Sequence, residues 1–159
     1  MKKIGIIGLG NPLRSDDGIG IILLNKIIEQ KNILSKNIEY IDGGTGGINL
    51  INDLVKFDII LFIDAIDFKG KIGETIFLEQ EELVSKKILI RASTHQNDIL
   101  KILQLSKSLN ELPEKIFFYG IQIKDTSIGS NLSDEINEKF NEILNNLIID
   151  INRISEDNI

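Results

Sequence analysis

Gly8-Leu9-Gly10-Asn11-Pro12-Leu13-Arg14-Ser15-Asp16-Asp17-Gly18-Ile19-Gly20 separates the apolar run Ile4-Gly5-Ile6-Ile7 from a run, Ile19 to Ile28, with apolar residues at helical spacing. It reads as a strand end, a tight polar loop and a helix start. Gly8 and Gly10 permit backbone conformations closed to other residues, Pro12 fixes one dihedral, and Asp16 and Asp17 stand where a helix N-terminus favours negative side chains. One aspartate is enough to cap a helix, and a second gains little from the same cap while repelling the first. The surplus carboxylate points to a cation or a reaction at the rim of a sheet.

Outward from this loop, the continuously apolar Ile4 to Ile7 predicts a buried strand, and Ile21, Leu24 and Ile28 a helix laid over it that ends at Gln30-Lys31-Asn32. Ile38-Glu39-Tyr40-Ile41 predicts a second strand running into Asp42-Gly43-Gly44-Thr45-Gly46-Gly47. Ile48 to Val55 predicts a short helix with Ile48, Leu50, Ile51, Leu54 and Val55 inward. Ile59 to Ile63 is a third strand ending at Asp64. This β-α-β-α-β order implies a parallel sheet with right-handed crossovers and helices on both faces.

Further along, Asp67 to Gly73 reads as a mobile loop, Glu74 to Leu78 as a fourth strand and Glu79 to Ser85 as a polar turn or short helix. Lys87 to Arg91 is ambiguous between strand and loop. Gln96 to Leu109 predicts a helix stopping before Pro113, Ile116 to Ile123 a fifth strand, and Lys124 to Asn131 a loop. Ser133 is placed to cap a closing helix whose Ile136, Phe140, Ile143, Leu144 and Leu147 form one stripe. The expectation is an α/β fold: one three-layer domain over residues 1–153, with a twisted, mostly parallel sheet of about five strands between helices, and 154–159 as a frayed tail.

At 159 residues the chain can bury a sizeable core without disulfides, and the absence of cysteine removes thiol nucleophiles and thiolate metal sites. The formal charge of −6 argues against a nucleic-acid surface. Lys2-Lys3 before Ile4 to Leu9 imitates a secretion signal, but Gly10, Asn11, Pro12 and the aspartates cut it short. Asp64 and Asp67 interrupt the strongest candidate for a membrane span, so the expectation is a cytoplasmic protein without membrane insertion.

Neighbouring first and third strands would place Asp17 and Asp64 beyond one sheet edge, where open α/β sheets form their ligand crevice. His95, the single histidine, comes at a polar helix start within Ser93-Thr94-His95-Gln96. Two carboxylates and an imidazole suit a divalent transition ion such as nickel, zinc or manganese, with coordination positions left open. Nucleophilic readings are weaker: Ser15, Ser93 and Thr94 lie near, but no Gly-x-Ser-x-Gly elbow exists. A dinucleotide reading fails because Leu13 replaces the third glycine and two aspartates would repel a pyrophosphate.

With the opening loop, Asp42-Gly43-Gly44-Thr45, Asp64-Ala65 and Ser93-Thr94-His95-Gln96, the chain resembles the hydrogenase maturation proteases over nearly its whole length. Tyr119-Gly120-Ile121-Gln122 resembles a segment of members that act on energy-converting or related hydrogenases. The resemblance implies an endopeptidase that removes the C-terminal extension of a nickel-iron hydrogenase large-subunit precursor after nickel insertion. Nickel carried by the substrate, or another divalent transition ion in the same site, would meet Asp17, Asp64 and His95. The catalytic candidates are Asp17 and Asp64, with Asp16 and Asp42 for support or as general base, Asp42 also suiting an ordinary turn. Two rivals stand beside this. One is a non-catalytic nickel-binding or precursor-holding maturation factor. The other is a peptidyl-tRNA hydrolase-like esterase, which shares Gly8 to Pro12 but would need an early histidine and a basic surface.

Overall fold

The computed structural model describes residues 2–30, 37–85 and 94–156 and, within these, the side chains of all but 83–85 and 94–98. Strands β1 (Ile4–Gly8), β2 (Ile38–Asp42), β3 (Ile59–Ile66), β4 (Thr75–Glu79) and β5 (Lys115–Gln122) form one sheet in the order β2-β1-β3-β5-β4. All neighbours are parallel except β4, which pairs antiparallel with β5 at one edge. The helices are α1 (Ile19–Glu29), α2 (Ile51–Leu54), α3 (Gln80–Ser85), α4 (Thr94–Ser108) and α5 (Asp134–Glu156). The region Lys87 to Arg91 lies outside the described residues.

The central strands are apolar on both faces because helices cover both. Ile4, Ile6, Ile59, Leu61, Ile63, Tyr119 and Ile121 pack against α1 and α5 through Leu23, Leu24, Ile27, Ile143, Leu144 and Leu147. On the opposite face Ile7, Ile60, Phe62, Ile116 and Phe118 meet Leu50 and Leu54 from the α2 side and Ile99, Ile102 and Leu103 of α4. The Phe62 and Phe118 rings stack with centroids 5.2 Å apart. Among the described residues no helix is long and apolar enough to cross a membrane.

Four sequence expectations are corrected. The Ile48–Val55 segment is a 3-10 turn, Ile48–Leu50, followed by the single turn of α2. This geometry buries Leu50 and Leu54 but turns Ile48 and Val55 outward. β3 does not stop at Asp64 but runs to Ile66, because β5 continues alongside it as far as Gln122. The 67–73 segment is not slack, being held by hydrogen bonds to Gln122, Glu74 and Lys139. Finally, α5 extends past Arg153 to Glu156, because Ile151 and Ile154 prolong its apolar stripe into the core.

Candidate functional site

The carboxyl edge of the sheet is built around the opening loop. After β1, Leu9 N donates to Ile63 O at 2.8 Å, and Gly10 N to Gly44 O at 2.8 Å, so the loop is tied to the ends of both flanking strands. Gly10 adopts φ 133°, and a Cβ there would lie 2.0 Å from Asp17 O. Only glycine fits that turn. The chain then makes a 3-10 turn, Ser15–Gly18, that leads straight into α1. Gly20 brings the first turn of α1 onto β3, where a Cβ would meet Ile63 O at 2.4 Å. Asp17 precedes this contact by three residues and Asp64 follows Ile63 by one, so both sit where α1 meets the end of β3.

Asp17 is 5% exposed and Asp64 2%. Asp17 Oδ2 accepts a hydrogen bond from Asn11 N at 3.1 Å. β1 ends at Gly8 opposite Ile63, so Asp64 is the first β3 residue beyond the register with β1. Alternation along the strand sets Asp64 on the same side as Ile60 and Phe62, the face that α4 covers. The backbone of α4 begins at Thr94, and its body packs beside the turn that follows β2. Position 95 thus belongs to the first turn of α4. The side chain of His95 lies outside the described residues, as do Ser93 and the side chain of Thr94. Among the described residues no group of three or more His, Cys, Asp or Glu side chains is gathered to hold a metal ion.

Neither adjacent aspartate caps α1: its N-cap is Gly18, with no side-chain cap. Asp16 is fully buried and accepts four hydrogen bonds. Lys124 N, Asp125 N and the Ser133 hydroxyl donate to Oδ2 at 3.1, 3.0 and 2.9 Å, and Ser133 N donates to Oδ1 at 2.7 Å. Asp16 N donates to Asp125 O, Ser15 N to Gly129 O and Gly129 N to Leu13 O. The loop between β5 and α5 is therefore sewn to the opening loop, and Asp16 is its anchor. Ser133, expected as a cap for α5, gives its hydroxyl to Asp16 instead. The two sewn loops carry Leu13 and Ile128 outward, 68% and 89% exposed.

Asp42 ends β2 beside Gly8 and is exposed, with Oδ1 accepting from Gly44 N at 2.9 Å, the geometry of a turn former. Asp67, just past β3, has its carboxyl held below the usual range by hydrogen bonds from the Lys69 side chain and from Gln122. The contribution of Gln122 was not foreseen from sequence, although a glutamine between Ile121 and Ile123 in an apolar strand is a visible signal. A cavity of about 320 Å³ near Phe77, Lys115 and Arg153 lies at the start of β5, at the opposite sheet edge, and none of these aspartates lines it.

The family model for hydrogenase maturation protease matches residues 22–150. The hydrogenase 2 maturation protease of Escherichia coli is 30% identical over 119 residues, covering 75% of this chain and 72% of that protein. The hydrogenase expression/formation protein HupD of Thiocapsa roseopersicina is 28% identical over 138 residues, covering 86% of this chain but only 62% of its own length. Among solved structures, the maturating endopeptidase HybD from E. coli superposes with a TM-score of 0.81 at 24% identity, over 95% of this chain and 93% of that one. HybD from Thermococcus kodakarensis gives 0.71 at 28%, over 90% and 95%.

Proposed function

Because the chain belongs to the hydrogenase maturation protease family, we propose that it is an endopeptidase that removes the C-terminal extension of a nickel-iron hydrogenase large-subunit precursor. The observation that carries the reading is the placement of two buried carboxylates, Asp17 and Asp64, near the sheet's carboxyl edge. Two carboxylates near one sheet edge are the donor type that a divalent cation takes. Nickel borne by the precursor supplies that cation, and His95, in the first turn of α4, is the third ligand. Another divalent transition ion would fit the same donors.

Asp16 has both oxygens engaged, so its part is support, and Asp42 shapes a turn. Proton handling falls to Asp17 and Asp64. One of these carboxylates takes a proton from the attacking water, the water oxygen joins the scissile carbonyl carbon, and the proton passes to the departing amine nitrogen. Bound nickel positions the peptide beside them and signals that the metallocentre is complete. The exposed Leu13 and Ile128 at the rim support a partner of protein size. The enzyme works in the cytoplasm on a precursor that has not yet been sealed.

The test is mass spectrometry of the precursor after incubation, with and without nickel. The expected outcome is a shortened chain from the nickel-loaded form alone. An unchanged mass in both assigns the protein to holding rather than cutting, and equal cleavage of both removes nickel as the signal.

A further inference from the structure

Gln122 is a polar side chain set in the apolar end of β5 and only 5% exposed. Its flanking neighbours Ile121 and Ile123 belong to the core on the α1 and α5 side. Its carboxamide is fully used. Oε1 accepts from Phe68 N at 2.9 Å and from Gly70 N at 3.0 Å, while Nε2 donates to Asp67 Oδ1 at 3.2 Å and to Ile123 O at 3.2 Å. Two acceptor sites and two N–H groups exhaust what the group offers. The main chain of the same residue adds two more bonds: its N donates to Glu74 O at 2.8 Å and its O accepts from Gly73 N at 2.8 Å. One residue thus dictates the course of the chain from 67 to 74.

The sheet does not require this. A valine or isoleucine would continue β5 as well, and burying a carboxamide carries a cost that only its partners offset. What those partners share is location. Gln122 pairs in register with Ile66, and Asp67 begins the loop three residues after Asp64. The loop turns through Lys69 at φ 64° and carries Lys69 and Lys71 outward.

We infer that Gln122 is a positioning residue that fixes the 67–70 loop as one wall of the precursor's seat beside Asp64. This rests on the peptidase reading above. A wall that contacts only bound substrate governs how firmly the precursor is held, whereas damage to the fold lowers the amount of active enzyme. The first raises KM; the second lowers apparent kcat and leaves KM alone.

The experiment uses the full chain and nickel-loaded precursor. Gln122→Leu keeps the volume and strips the loop of its acceptor. It should raise KM about tenfold with kcat within about twofold, and should speed hydrogen exchange at the Phe68 and Gly70 amides while the β3 and β5 amides keep their protection. Gln122→Glu alone sets a carboxylate against Asp67 and should behave similarly. Combined with Asp67→Asn it regains an N–H···O bond of reversed polarity and should return KM toward wild type. An unchanged KM in Gln122→Leu, or a double variant no better than Gln122→Glu, overturns the inference. If the wild-type protein leaves the precursor uncut, the peptidase reading falls instead, and the exchange rates decide whether Gln122 holds the loop.

Discussion

Asp16 and Asp17 are neighbours in the chain with different work, and burial with hydrogen bonding tells them apart. Asp16→Ala would leave four donors from Lys124, Asp125 and Ser133 without their acceptor. We expect a loss of about 3 kcal/mol or more in urea unfolding, since each orphaned buried group costs roughly 1–3 kcal/mol. Asp17→Asn keeps an oxygen for Asn11 N, so the unfolding free energy should stay within about 1 kcal/mol of wild type while precursor cleavage drops at least about 100-fold. Comparable losses of stability in both variants would contradict this division. The pair was legible as a surplus of charge, because one cap needs one acid. Its resolution was not, because the donors to Asp16 lie more than a hundred residues away in a loop with no periodic pattern.

Between β5 and α5 the contact is partly polar: Tyr119 is 1% exposed and its hydroxyl donates to Ile143 O at 2.9 Å. Burial pushes the Tyr119 phenol up from 10.0 to about 12. The fold therefore favours the neutral phenol. Its contribution is complete below pH 10 and is lost as pH climbs through about 12, a span worth about 3 kcal/mol. Urea unfolding followed between those limits should show this decline. Tyr119→Phe should flatten it while costing only about 1 kcal/mol at neutral pH, since Ile143 O lies within a helix. Undiminished stability across the alkaline range would contradict the assignment. The apolar strands and the α5 stripe were readable from periods of two and of three to four residues. The full reach of β3 was not, because an aspartate inside a parallel strand looks like its end until the longer neighbour is seen.

Across the whole molecule, α5 closes the face on which α1 lies. Its last turn places Ile154 in the core at 5% exposure. Ending the chain at Arg153 should cost about 2 kcal/mol of burial and lower the thermal midpoint by roughly 4–8 °C. A midpoint within one degree of wild type would contradict it. The order β2-β1-β3-β5-β4 has the first and third strands as parallel neighbours, as their sequence order implied, so their carboxyl ends share one edge. Asp17 and Asp64 therefore come to the same edge although α1, β2 and α2 lie between them in the chain. Gln122 and Ser133 were not placed in the same way, because their work is to hold other loops still.

The sewing of the opening loop to Ser133 carries a consequence for biosynthesis. Asp16 leaves the ribosome 117 residues ahead of Ser133, the partner that anchors it. A nascent chain arrested before Ser133 has Asp16 and Asp17 in hand and no finished clasp around them, so the order of synthesis delays the anchoring of the opening loop.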